Sequence, residues 1–151
     1  MKTDVKANEI LLEIDNMIIE NEHRLLKYVA RQFISIKQGD SLDDIRTKLL
    51  KYESSGAAGF DCGWSWLFIN DHEIEEELEK QYKKLDKNLN SDYVAIVPKK
   101  ITFNGGYALQ VFLPNYPINV QSTKMKNCLL EQVGKYFEQF GIDSFVESEL
   151  D

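Results

Sequence analysis

The side-chain period of this chain changes from helical to strand-like partway along, and that change limits its fold more than any other feature. Leu11, Ile14, Ile18, Leu25, Val29 and Ile36 fall at spacings of three, four or seven, which predicts helix over residues 1–37. Asn21-Glu22-His23 interrupts the stripe, so the segment reads as two helices or as one long helix with a polar patch. Ile10, Leu12, Met17, Ile19, Leu26 and Phe33 widen the apolar surface, which points to burial on several sides or to a homodimer through these helices. Over residues 60–69 the period becomes two. Phe60, Cys62, Trp64, Trp66 and Phe68 alternate with Asp61, Gly63, Ser65 and Leu67, predicting a strand with one bulky aromatic face.

Punctuation residues organise the rest. Gly39 is expected to cap the first helical segment, and Ser41 to open a short helix carrying Leu42, Ile45, Leu49 and Tyr52, with Asp43 and Asp44 in its first turn. Residues 54–59, rich in Ser, Gly and Ala, separate a helical N-terminal segment (1–53) from an α+β domain (60–151), the two expected to form one unit. Asn70-Asp71 caps a helix with the stripe Ile74, Leu78, Tyr82, Leu85 and the pairs Glu76–Lys80 and Glu79–Lys83. Tyr93 to Val97 reads as a strand ended by Pro98. Asn104-Gly105-Gly106 predicts a hairpin between Ile101–Phe103 and Tyr107–Leu113, and Ile118–Val120 a short strand. A final helix from Thr123 to Phe140 carries Met125, Leu129, Val133, Tyr136 and Phe140, stops at Gly141-Ile142, and precedes a short edge strand at Phe145-Val146. Helices mixed with antiparallel hairpins give an α+β fold: a small antiparallel sheet packed with helices, preceded by a helical N-terminal segment.

Composition narrows the function classes. At 151 residues with 43% hydrophobic and 28% charged side chains, the chain supports one domain with a core. No apolar run reaches the roughly 20 residues of a membrane span, and Met1-Lys2-Thr3-Asp4 lacks a signal peptide's apolar centre, so the expected location is the cytoplasm. A net charge of −7 argues against direct nucleic-acid binding. After Lys135 the chain carries only acids: Glu138, Asp143, Glu147, Glu149 and Asp151.

Catalytic motifs are absent from the pattern. His23 and His72 lie outside any metal-ligand spacing, so no metal is expected, and no cofactor fingerprint accompanies Gly105-Gly106. Cys62 and Cys128 read as small buried hydrophobes, although His72 could fold back toward Cys62. Trp64 and Trp66 could stack on a ring, but burial in the core is the favoured reading of aromatics at period two.

Cys62-Gly63-Trp64-Ser65-Trp66, Gly105-Gly106-Tyr107, Pro114, Gln121-Ser122, Lys126, Gly141-Ile142 and Ser148-Glu149-Leu150-Asp151 occur in this order along the chain. In this order they resemble a group of small phage-encoded proteins found in many actinobacterial phages. The resemblance covers residues 60–151 and leaves residues 1–59 outside. The group's terminal Ser-Arg-Leu-Asp carries Glu149 here in place of the arginine, which removes or reverses any anion-binding role at that position. The resemblance implies a phage or prophage origin and an accessory factor, with no reaction attached.

Two functional expectations follow. The first is a non-enzymatic phage accessory protein that binds and modulates a host protein, in its sharpest form an anti-CRISPR-like inhibitor of antiviral defence. Glu75, Glu76, Glu77 and Glu79, with Glu147, Glu149 and Asp151, would meet a basic partner surface. The second is a small-ligand or nucleotide-binding module or weak hydrolase. Its site would lie between Trp64 and Trp66 and the helix start at Gln121-Ser122, near Lys126. A pocket at that point favours the ligand; a closed core favours the partner.

Overall fold

The computed structural model describes residues 6–55, 63–115 and 122–150, with Leu150 described in its backbone only. Of the two readings open at Asn21-Glu22-His23, the structure has two helices, α1 (Ala7–Glu20) and α2 (Glu22–Arg31). Asn21 ends one helix and precedes the next, its Nδ2 donating to Met17 O at 2.7 Å. The predicted stop at Gly39 is displaced. Helix α2 ends at Arg31, and Gly39 lies in a later turn closed by Asp40 N–H on Lys37 O. Ser41 opens α3 (Leu42–Ser54) with a reciprocal capping box to Asp44.

The remaining elements are β1 (Gly63–Ile69), α4 (His72–Asp86), β2 (Ile96–Lys100), β3 (Tyr107–Val111), α5 (Thr123–Glu138) and β4 (Ser144–Leu150). Their order, βαββαβ, builds one four-stranded antiparallel sheet in the sequence β2-β3-β1-β4. This is the split βαβ, ferredoxin-like arrangement, with three helices added before it. The fold is α+β, and the rhythm hidden in the sequence is two βαβ halves whose strands interleave.

Several boundaries moved for identifiable reasons. Strand β2 runs through Pro98, which pairs with Leu109, because an edge strand tolerates a missing N–H on its outer side. Residues 101–103 are therefore turn and not strand; the hairpin closes through Ile101 N–H on Gly106 O and Gly106 N–H on Asn104 Oδ1, with Gly105 at φ +72°. On α4 the third inward position is Gln81 and not Tyr82, which is half-buried, and Leu85, the fourth of the expected stripe, is exposed. Gln81 holds the following loop: its Oε1 accepts from Asp92 N–H at 3.0 Å and its Nε2 donates to Asp92 Oδ2 at 2.9 Å. Helix α5 ends as predicted, Gly141 at φ +72° donating to Glu138 O and Ile142 N–H reaching back to Phe137 O. The edge strand expected at Phe145-Val146 spans seven residues, all paired to β1. The strand predicted over residues 118–120 lies outside the described residues.

All helices that touch the sheet do so from one side. Ile10, Leu11, Ile14 and Ile18 of α1 join Leu67, Ile69, Leu78, Leu109, Val133 and Phe137 in a single core, so the N-terminal segment is continuous with the α+β part. Each fully buried aliphatic side chain there contributes roughly 1.5–3 kcal/mol. Most of the wide apolar surface of α1 and α2 is thus buried within this chain, with Leu12 left 40% exposed. A buried carboxylate ties α1 to the sheet: Asp15 accepts from the N–H groups of Val94, Ala95 and Ile96 at 3.0, 2.8 and 2.8 Å. Glu22, part of the apparent polar patch, is also buried and accepts from Asn115 N–H and Nδ2, both at 3.1 Å.

Candidate functional site

The period-two alternation of β1 is real, but its faces are reversed. Ser65, Leu67 and Ile69 point to the helices and are buried, while Trp64 is 54% exposed and Trp66 half-buried. Among the described members of the aromatic set only Phe68 is buried, beneath Phe145, with the rings stacked 5.2 Å apart at 7°. Cross-strand register places Glu149 opposite Trp64 and Glu147 opposite Trp66 on this open face. Phe103 meets Trp66 edge-on at 6.2 Å. Packing with helices selects the slimmer side chains because α5 comes close: a Cβ on Gly134 would sit 2.8 Å from Ser144 Oγ. Phe60 and Cys62, the other members of the aromatic face, lie outside the described residues, as does any Cys62–His72 pairing.

At its Gly63 end β1 parts from β3. The two strands share only the Leu67–Leu109 register pair, and the gap is bridged by Gln110 Nε2 donating to Ser65 O at 3.0 Å. A cavity of about 440 Å³ opens there. Leu26, Val29, Leu49, Met125, Leu129 and Leu130 give it an apolar floor, and Trp64, Lys99, Gln110 and Lys126 stand at its polar side. A shallower depression on the open face shares Trp64, Lys99 and Gln110 and adds Trp66, Phe103 and Glu149.

Helix α5 positions Lys126. Ser122 is its N-cap, its Oγ accepting from Met125 N–H at 3.4 Å, so the first turn is closed and Lys126 is aimed at β1. Lys126 Nζ donates to Gly63 O at 2.7 Å and stands 5.5 Å from the Trp64 ring centroid, a cation–π distance. Ser65 lines the cavity, is 1% exposed, and its Oγ has no hydrogen-bond partner. Such an orphan hydroxyl costs roughly 1–3 kcal/mol.

Trp64 and Lys126 line the cavity and Trp66 the adjoining depression, whereas Ser122 caps the helix that carries Lys126 and lines neither, and Gln121 lies outside the described residues. The acidic set is divided. Glu147 and Glu149 lie on the open face of the sheet, whereas Glu75, Glu76, Glu77 and Glu79 belong to α4 in the helix layer. Glu76 pairs with His72 at 2.9 Å in place of the predicted Lys80, and Glu79 pairs with Lys83 at 2.7 Å as predicted. Glu77 turns inward to Gln81 Nε2 at 2.7 Å and lies 3.5 Å from the Tyr93 hydroxyl. Glu75 approaches the turn at Gly106, and the side chain of Asp151 lies outside the described residues.

Sequence reasoning missed Ser65, Lys99, Gln110, Phe103 and Phe145. Their signal was the alternation itself, had the small residues of β1 been assigned to the core. Cys128 is half-buried, and burial, then Glu131, pushes its thiol up, away from nucleophilic character. Among the described residues no three His, Cys, Asp or Glu side chains converge as a metal site, and no helix is long and apolar enough to cross a membrane.

No protein-family model matches the chain, and no solved structure matches it. An uncharacterized protein of Methanocaldococcus jannaschii, MJECL28, is 28% identical over 136 residues, covering 82% of this chain and 10% of its own length. The chain thus spans about a tenth of that relative.

Proposed function

We propose that the protein is a binding module that takes a small ligand in the cavity between β1 and the start of α5. The observation that carries this reading is the cavity itself, at the point where a closed core would have argued against a ligand. Its volume and apolar floor suit a small organic molecule, and Trp64, Gln110 and Lys126 supply orienting groups. Ser65 Oγ, the hydroxyl among the described lining residues, is hydrogen-bonded to neither Lys99 nor Lys126, so the proposal is binding without hydrolysis. The test is a thermal-shift screen of carboxylates, nucleotides and neutral metabolites against the full chain and Trp64→Ala. A ligand that raises the melting temperature of the parent but not of the variant supports the reading; equal shifts in both would refute it.

A second reading, supported by the exposed aromatic row, is the phage or prophage accessory protein acting on a host protein in the host cytoplasm. Phe103 and Phe145 are 59% and 51% exposed, and Glu147 and Glu149 beside the row suit a basic partner rim. On this reading the open sheet face carries the contact in place of α4, whose acids are largely paired or turned inward. A host protein retained by the parent chain, released by Phe145→Ala with Glu149→Lys, and indifferent to charge reversal at Glu75 and Glu76 would support it. Loss on reversal of the α4 acids alone would return the contact to that helix.

A further inference from the structure

We propose that the ligand of this cavity is an amphipathic monoanion, a carboxylate carried on an apolar body of fatty-acid character. The inference rests on the ligand-binding reading above and narrows it to one chemical class. Three observations converge. The floor is aliphatic, formed by Leu and Val side chains of α2, α3 and α5 with Met125, and among the described residues it offers no polar group to a sugar or a base. The polar side holds Lys99 and Lys126, both half-buried, and neither has a carboxylate within ion-pair distance among the described residues. Lys126 is held in place by Gly63 O and the Trp64 ring, so its remaining N–H bonds are pre-aimed rather than free to wander.

The third observation is Ser65. Its hydroxyl is buried at the cavity wall and unpartnered, and a carboxylate oxygen would accept from it as well as from the lysines. Charge counting selects the class. Two lysines less Glu149, which lies in the adjoining depression beside Trp64, leave one net positive charge, which matches one carboxylate and not the several charges of a nucleoside triphosphate. A cationic head would meet Lys99 and Lys126 directly. A neutral head would leave both lysines without a counter-charge.

The experiment titrates the ¹⁵N-labelled full chain with decanoate below its micellar concentration, and in parallel with decanol, decyltrimethylammonium and ATP. Decanoate is expected to saturate with shifts at Ser65, Gln110, Lys126 and the Trp64 indole. Lys99→Gln with Lys126→Gln should weaken it about tenfold, and Lys126→Arg should restore part of the loss. Ser65→Ala should weaken it about threefold, the value of one modest hydrogen bond. Decanol binding as tightly as decanoate, unaffected by the lysine changes, would overturn the anion inference and leave the ligand reading standing. ATP binding at these residues in preference to decanoate would overturn the monoanionic, fatty-acid class and likewise leave the ligand reading standing. If no probe moves the cavity residues, both readings fall.

Discussion

On the helix-covered side of β1, Leu67 is 1% exposed and belongs to the main core, while on the other side Trp64 is 54% exposed and faces Glu149. The two sets come from one strand and alternate perfectly, yet the larger aromatic side chains lie on the side that helices leave uncovered. Side-chain bulk alone did not decide which face turned inward; the space left by α4 and α5 did. The helix-facing side is filled by aliphatics and a serine, whose dispersion contacts specify the fold. The open side holds rings that are only partly covered, with charged neighbours, as recognition surfaces do.

If the faces divide labour in this way, substitutions should sort by face and by buried polar partner. The largest loss is expected for Asp15→Ala, which strands three backbone N–H groups at the start of β2, about 4 kcal/mol in urea unfolding. Leu67→Ala should cost about 3 kcal/mol through its cavity. Phe145→Ala, which removes a stacked but half-exposed ring, should cost about 1 kcal/mol. Equal losses for Leu67→Ala and Phe145→Ala would break the comparison.

The smallest effect is alkaline. Burial, then the charge of Glu77, pushes the Tyr93 phenol above its ordinary value, so the folded state holds that proton more tightly than the unfolded chain. Its stabilisation is whole below the ordinary tyrosine value near 10 and is lost as pH rises beyond it. Stability measured from pH 9 to 11 should fall less steeply in Tyr93→Phe than in the parent; identical slopes would remove Tyr93 from the account.

Local chemistry was legible in the sequence wherever one residue type has one job. The capping box at Ser41, the Asp71 cap, the Ser122 cap, the Gly105 turn and the Gly141 stop all lie where short-range rules place them. The α+β class was legible too, because period two and period 3.6 alternate along the chain. What was hidden depends on long-range pairing. Asp15 and Glu22 read as polar helix positions, and only residues far along the chain explain their burial. Gln81 takes the core position expected for Tyr82 because it holds a loop that the helix stripe does not show. The site was half legible: Trp64, Trp66 and Lys126 were named, but Ser65, Gln110 and Lys99 join them only through the parting of β1 from β3.

Trp64 and Trp66 are the two tryptophans of the chain, so its indole emission reads the site without interference. The most direct test is acrylamide quenching of that emission in the folded protein, with and without decanoate. The account predicts ready quenching of the free protein, approaching that of the unfolded chain, and protection when decanoate binds. Emission shielded from acrylamide in the free protein, and unchanged by decanoate, would place the tryptophans in a closed core and contradict it.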